Sequence, residues 1–582
     1  MVPGEGGNTT RPSRGRAALE WLAVGLIFAA LTTVVTWPSV PRLMTHAPEH
    51  HDALFNMWRL SWIAEALTTY PSRLFDPPIF HPATRVLAFS DAVLLQGLLA
   101  TPWLAAGAPL LPVTNVVLLL GPWLSALGAY LLVRDLLPEG GQARGLHWPA
   151  LVAGTIFGFL PYRIEHIMHL ELQWSQWMPL ACWGLHRTVR TGRVRDGVLT
   201  AVFVLGQFLS CIYYGVFLVL ALAVSAPVLV LARLRTPAPT ARAEAGTSGR
   251  DGQAPLLAIT RAFLVGALVT IGPLLAYSAP YRANQSALGG RGAHEIARWS
   301  ANPGAFLSTP PDNRLYGATA TLGIPEGRLF PGITALVLAC VAVWGLRRGR
   351  LAATVPMYVV MTVVSAVLAM GTNTPLYRVA LALLPLLRGL RAPARFGMVF
   401  ALGLAVLAAA GAATLLSRLP AGRRRHALGA CLLAALTLEY ASNVGPLHAW
   451  VQRPPLYARW LRQQPPGAVI DLPIARARSL PHYEAEWTFH GRTHRHPMVN
   501  GYSGYFPRDY IDLLGAMIEF PRGASLDALR RVGTRYVVVH EDRYEQADFL
   551  DFDGRLRRTP GIRFLAHVPD PDYPVSIYTL EP

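Results

Sequence analysis

Long apolar runs, separated by short arginine-bearing breaks, dominate the first three quarters of the chain. They fall at 17–38, 111–133, 148–161, 170–188, 196–212, 214–233, 257–279, 331–346, 351–370, 396–417 and 426–445. A helix of about twenty apolar residues crosses a bilayer, and Pro or Gly inside it is tolerated. The pattern predicts an α-helical polytopic membrane protein with about eleven transmembrane helices. Near residue 447 the pattern changes. Arg453–Gln464 reads as a short helix, Ala468–Ile474 and Arg535–His540 as buried strands, and RFLAHV and VSIYTL as two more. Ser525–Gly533 reads as a helix capped by Ser525 and ended by Gly533. These elements predict a small C-terminal α/β domain over 447–582, of ordinary domain size.

A further apolar stretch, 86–108, is interrupted by Ser90, Asp91 and Gln96 and crowded at its end by Pro102, Gly107 and Pro109. Arginine placement decides how to treat it, because basic residues mark cytoplasmic loops. The clusters are Arg134 and Arg144; Arg187, Arg190, Arg193 and Arg195; Arg233, Arg235, Arg242 and Arg250; Arg347, Arg348 and Arg350; and Arg418, Arg423, Arg424 and Arg425. All fall on the side of Arg11, Arg14 and Arg16 when 86–108 lies flat or re-enters on the outer face. The expected organisation is a cytoplasmic segment 1–16, a membrane domain 17–446 with a first outer loop 39–110, and a domain 447–582 outside. Further outer loops are 162–169, 280–330 and 371–395. Segment 17–38 exceeds a signal-peptide core and lacks an A-x-A-like cleavage site, so it reads as a retained anchor. The Pro/Ala/Gly-rich stretch 234–256 reads as a cytoplasmic linker.

Composition narrows the chemistry. The chain has 582 residues, 52% hydrophobic and 15% charged, with a net charge of +18. All 52 basic residues are arginine. The excess charge is explained by orientation signals and calls for no nucleic acid. Without lysine there is no P-loop lysine and no Schiff-base lysine. Cys182, Cys211, Cys340 and Cys431 are irregularly spaced in or beside apolar segments, as buried small residues are.

Four outer stretches carry candidate chemistry. His50, His51 and Asp52 open an amphipathic helix over Ala53–Leu67, in which Leu54, Met57, Trp58 and Ile63 would face lipid and Arg59 and Glu65 water. Asp52 is either a catalytic acid beside a lipid headgroup or a helix cap. Arg163, Glu165, His166 and His169 form a second polar cluster, with the two histidines one helical turn apart. That spacing suits sugar or phosphate contact, and a divalent metal is possible; no metal site is assigned. Arg388, Arg391 and Arg395 crowd an outer loop against the positive-inside bias, as a phosphate clamp or as partners of anionic lipid. In the tail, Asn500–Pro507 is Gly-rich and aromatic, suited to carbohydrate stacking, to a turn or, the preferred reading, to docking on the membrane mouth. His482, Glu484, Glu486, His490, His494 and His496 match no compact metal motif.

With Asp52 soon after the first span, a flat 86–108 segment and a polar second outer loop from Arg163 to Glu171, the layout resembles the GT-C class of membrane glycosyltransferases, in particular RgtA/B/C/D-like and ArnT-like proteins. Leu390–Phe396 and the α/β tail look more like YfhO-type members. The single acid at Asp52 departs from the paired acids of many relatives, and no Asp-x-Asp is present. The resemblance implies transfer of a sugar from a polyprenyl-phosphate donor to a glycan or lipid acceptor at the outer face of a bacterial cytoplasmic membrane. Asp52 would be the general base; His50, His51, Arg163, Glu165, His166, His169, Arg388, Arg391 and Arg395 would bind substrate. No cofactor is certain. The alternatives are a non-catalytic, flippase-like transporter of lipid-linked glycans and a cell-envelope scaffold.

Overall fold

The computed structural model describes residues 14–137, 146–235, 254–345, 354–450, 453–475 and 481–581. Most of 1–16 and of the linker read over 234–256 lies outside them, as do Arg144, Arg347, Arg348 and Arg350. The chain divides into two units: Met1–Pro41, Leu118–Ala276 and Arg291–Gly445 form the first, and Arg42–Val117, Tyr277–Gly290 and Pro446–Pro582 the second.

Among the described residues, five helices are long and apolar enough to cross a membrane: Ala17–Val35, Leu110–Leu136, Ile212–Ala232, Leu256–Leu288 and Pro393–Leu416. The chain is therefore a multi-pass membrane protein. The other predicted spans form helices of 12 to 17 residues. Gly397–Leu416 is apolar on every face and buried along almost its whole length, as a central helix must be. Its glycines let neighbours approach closely, Gly411 meeting the Leu338 backbone and Gly403 meeting Thr362. The run predicted as one span over 170–188 is broken. Leu170–Gln173 is a single turn and Trp177–Thr191 a separate helix. The break has a cause: Gln173 turns its amide back to the carbonyls of Arg163 (3.1 Å) and His166 (2.7 Å).

The second unit is built on a sheet. Strand β1 (His46–Pro48) pairs antiparallel with β2 (Leu447–Ala449). A separate four-stranded sheet contains β3 (Ala468–Leu472), β4 (Thr534–His540), β5 (Ile562–Val568) and β6 (Val575–Leu580) in the order β3-β4-β6-β5. β3 and β4 are parallel, and the other pairs antiparallel. Tyr457 and Leu461 of the Leu456–Arg462 helix cover one face through Val469, Val538 and Ile577. The other face, with Ile470, Val537 and Val539, shares its core with Leu54, Phe55 and Trp58 of the His51–Thr69 helix. Burial on both faces explains why β3 and β4 read as continuous apolar runs.

Two local expectations change. Ser525 does not cap its helix. That helix runs Gly523–Arg531 from Arg522, and the Ser525 hydroxyl donates to the Arg522 carbonyl at 2.6 Å. The His51–Thr69 helix does not present Leu54, Met57, Trp58 and Ile63 to lipid. All four are buried in the protein, and so is Arg59. The stretch predicted to lie flat folds as a turn at Val86–Phe89 and a helix at Leu94–Ala105. Twelve residues rise about 18 Å, short of the roughly 30 Å hydrocarbon core.

Candidate functional site

In the second unit the site begins at β1, which delivers the chain to His50. His50 caps the His51–Thr69 helix: its Nδ1 accepts the Asp52 N–H at 3.1 Å. The alternative that Asp52 is the cap is thereby overturned. Asp52 occupies the first turn, where the positive end of the helix dipole favours a carboxylate. Tyr502, from the Gly-rich stretch of the tail, donates its hydroxyl to Asp52 Oδ1 at 2.7 Å. The Asp52 side chain keeps 18% exposure, and its Oδ2 lies 3.5 Å from His50 Nδ1. The His50 and His51 rings are 3.9 Å apart, and Phe55 meets Tyr502 edge-on at 5.2 Å. The result is a fixed carboxylate with one oxygen held by a phenol, in a mouth lined by two imidazoles.

His50, His51 and Asp52 place ligand atoms within 4.8 Å of one another. Two imidazoles and a carboxylate are a donor set that suits zinc or a similar divalent cation. Against this, His50 Nδ1 and Asp52 Oδ1 already serve hydrogen bonds within the fold, so any ion would use the remaining atoms.

Behind Asp52 lies a polar layer that sequence reasoning missed. The Arg59 Nη1 donates to the Asp91 carbonyl at 2.6 Å, Nη2 to Asn56, and the guanidinium lies 4.5 Å over the Phe55 ring. The Tyr281 hydroxyl accepts the Ala92 N–H at 2.9 Å. These contacts fix the loop that follows the helix. A charged residue on the apolar side of an otherwise buried helix was the available signal.

The first unit carries the second cluster. The Trp148–Phe159 helix ends at Leu160, and Pro161 starts a short helix to Glu165. Arg163 is buried. It donates to the Gln173 carbonyl and the Ser125 hydroxyl, both at 2.9 Å, and to Ser175. These bonds tie it to the fold, so it acts as a staple for this loop. Glu165 pairs with Arg328, yet burial outweighs that pairing and pushes its carboxyl up to about 7. Among the described residues its Oε2 has no hydrogen-bond partner. Burial pushes His166 down to about 3, so its ring is neutral at physiological pH. The His166 Nε2 is also without a hydrogen-bond partner among the described residues, and the His169 ring stands 5.5 Å away.

Of the three loop arginines, Arg395 is buried and bound to Glu326 at 2.5 Å. Burial alone would raise the Glu326 carboxyl, but Arg395 and His166 hold it down at about 2. Arg391 lies 5.6 Å over the Trp299 ring, and its N–H donates to the Tyr213 hydroxyl. Arg388 is exposed. The tail histidines are structural: both His496 nitrogens bond to carbonyls, of Gly467 (3.0 Å) and Leu461 (2.8 Å), and His540 bonds Asp471 at 2.8 Å.

No family model matches the chain, and no curated protein is similar to it. Solved structures are. The mycobacterial arabinofuranosyltransferase AftD aligns over 98% of this chain at 17% identity, with a TM-score of 0.59. At this identity the likeness shows the fold alone, which is GT-C-like. The chain covers 42% of the AftD chain, less than half its length. The Archaeoglobus fulgidus oligosaccharyltransferase AglB aligns over 91% of the chain and 70% of its own at 14% identity, with a TM-score of 0.49. ArnT from Cupriavidus metallidurans aligns over 97% and 98% at 12% identity, with a TM-score of 0.37.

Proposed function

We propose that the chain is a membrane glycosyltransferase that moves a sugar from a polyprenyl-phosphate-linked donor to a hydroxyl of a cell-envelope glycan or lipid. The reaction takes place at the outer face of the bacterial cytoplasmic membrane, with Asp52 as general base. The observation that carries the reading is the Asp52 carboxylate, partly exposed and fixed by Tyr502 at the head of a buried helix in a GT-C-like fold. Asp52 accepts the proton of the acceptor hydroxyl as its oxygen bonds to the anomeric carbon. The bond from that carbon to the donor phosphate breaks, and its electron pair leaves with the phosphate. Arginine charge stabilises the departing anion. Arg395 already serves Glu326, so phosphate contact is assigned to Arg391 and Arg388, with His166 and His169 as polar contacts for sugar. His50 and His51 are assigned to the acceptor side of Asp52.

The test uses the full chain in bilayers with radiolabelled polyprenyl-phosphate sugars and envelope acceptor. Wild type transfers label, and Asp52→Asn loses about 10²–10⁴-fold. Undiminished transfer by the variant removes Asp52 as the base. Absence of transfer by wild type with every donor would replace the enzyme reading with that of a transporter or scaffold.

A further inference from the structure

The second unit contains a cleft of about 200 Å³ between the C-terminal half of the His51–Thr69 helix and the His482–His494 helix of the tail. It is smaller than the roughly 300–1,000 Å³ of sites for drug-sized ligands and suits a single ring. Its aromatic walls include Trp62 and Tyr70, whose ring centroids are 5.8 Å apart. The Trp62 N–H is committed to the Leu74 carbonyl at 2.9 Å, so its remaining resource is its ring face. Glu65 accepts from the Tyr70 hydroxyl at 2.8 Å and pairs with Arg495 at 3.5 Å. The charge of Arg495 is therefore answered inside the cleft.

Arg492 is different. Its guanidinium stacks 4.2 Å over Phe489, and among the described residues its buried Nε has no hydrogen-bond partner. Burial lowers its pKa. Thr488, fully buried, lines the same cleft, and among the described residues its hydroxyl has no hydrogen-bond partner. Buried polar groups in a folded protein find partners, so these two mark where a ligand supplies them. Arg495 adds a strained backbone: it ends its helix at φ +63°, a position that favours glycine, and this places its guanidinium at the cleft.

We infer that this cleft binds one acidic sugar ring, with Arg492 and Thr488 meeting its anionic group and Trp62 and Tyr70 packing on its ring. Carbohydrate rings present apolar faces to aromatic side chains and hydroxyls to polar ones, and this cleft offers both. The anion can be a uronate carboxylate or a sugar phosphate, which arginine recognises alike. The inference does not depend on Asp52, because it is read by binding without turnover.

The test is calorimetry on the full chain in nanodiscs with methyl glucuronoside, glucose 6-phosphate, methyl glucoside and glycerol 3-phosphate. One or both acidic sugars bind, and methyl glucoside binds at least about tenfold more weakly, the equivalent of one charge-assisted contact. The preferred acid tells carboxylate from phosphate. Arg492→Gln removes the preference for acid over neutral sugar, and Thr488→Val weakens binding about 3–10-fold, each in a chain with wild-type melting temperature. Equal binding of acidic and neutral sugars, unchanged binding by Arg492→Gln, or glycerol 3-phosphate binding as tightly as the acidic sugars overturns the proposal. The last result would mark a lipid-headgroup site.

Discussion

The Tyr502 hydroxyl donates to the Asp52 carboxylate at 2.7 Å across 450 residues of sequence. This bond aims a carboxylate that the helix dipole alone would leave to rotate. Tyr502→Phe removes one charge-assisted hydrogen bond, about 1.5–3 kcal/mol. The expected outcome is a fall in kcat of about 10–100-fold with KM little changed, measured by the transfer assay. A larger change in KM than in kcat would make Tyr502 a substrate contact instead.

Glu484 lies in the tail beneath Asn500 and Tyr510, and burial pushes its carboxyl from 4.5 up to about 8. The folded state therefore binds a proton that the unfolded state releases between those values. Its contribution to stability is full below about 4.5 and is lost as pH rises through about 8. Glu484→Gln keeps the shape without the charge. Thermal melting from pH 5 to 9 should show a flatter profile for the variant, with a difference of roughly 3–5 kcal/mol across the range.

Glu326 and Arg395 form a buried pair in the first unit. With the carboxyl held at about 2, the pair stays ionised at all working pH. Glu326→Gln leaves Arg395 a buried cation without its counter-ion and should cost about 3–5 kcal/mol. The double variant Glu326→Gln, Arg395→Met should recover much of that loss, because an apolar replacement of the whole pair is often neutral. A melting-temperature cycle in detergent measures the coupling.

Arg163 holds the loop between two helices through Gln173, Ser125 and Ser175. Arg163→Lys keeps the charge but cannot reproduce the forked geometry. Destabilisation of about 2–4 kcal/mol is expected, with lower yield of folded protein. A lysine variant with wild-type stability and selectively reduced donor binding would instead make Arg163 a substrate contact.

Orientation is tested by single cysteines in a cysteine-free background. Ser72→Cys should react with an impermeant maleimide applied outside, and Arg195→Cys only after permeabilisation. Labelling of Arg195→Cys from outside would reverse the arginine-based topology.

The sequence made some of this legible. Strands β3 and β4 were visible because β-branched runs between turn residues have few other uses. Asp52 stood out as an acid at the head of a helix. The partner that covers that helix was not visible: periodicity shows that a face is apolar, and lipid or protein covers it equally well. Arg59 reads as water-facing from sequence because its acceptor is a backbone carbonyl at Asp91, which no side-chain pattern announces. Arg395 was read within a cluster of three, but its acid lies in a different loop. Such long-range pairs are fixed by the fold, and at 17% identity the similarity to AftD carries the fold and not the side chains.

The short ladder between β1 and β2 has a consequence for biogenesis. His46–Pro48 is made early, whereas its partner strand and Tyr502 arrive hundreds of residues later. While the ribosome is still working, the Asp52 helix has its apolar flank uncovered and its carboxylate lacks the Tyr502 hydrogen bond. Contacts this distant in sequence close late. The His51–Thr69 helix of a nascent or C-terminally clipped chain would therefore be a ready target for membrane chaperones and proteases, and only molecules that keep the tail with Tyr502 would carry an assembled Asp52 mouth.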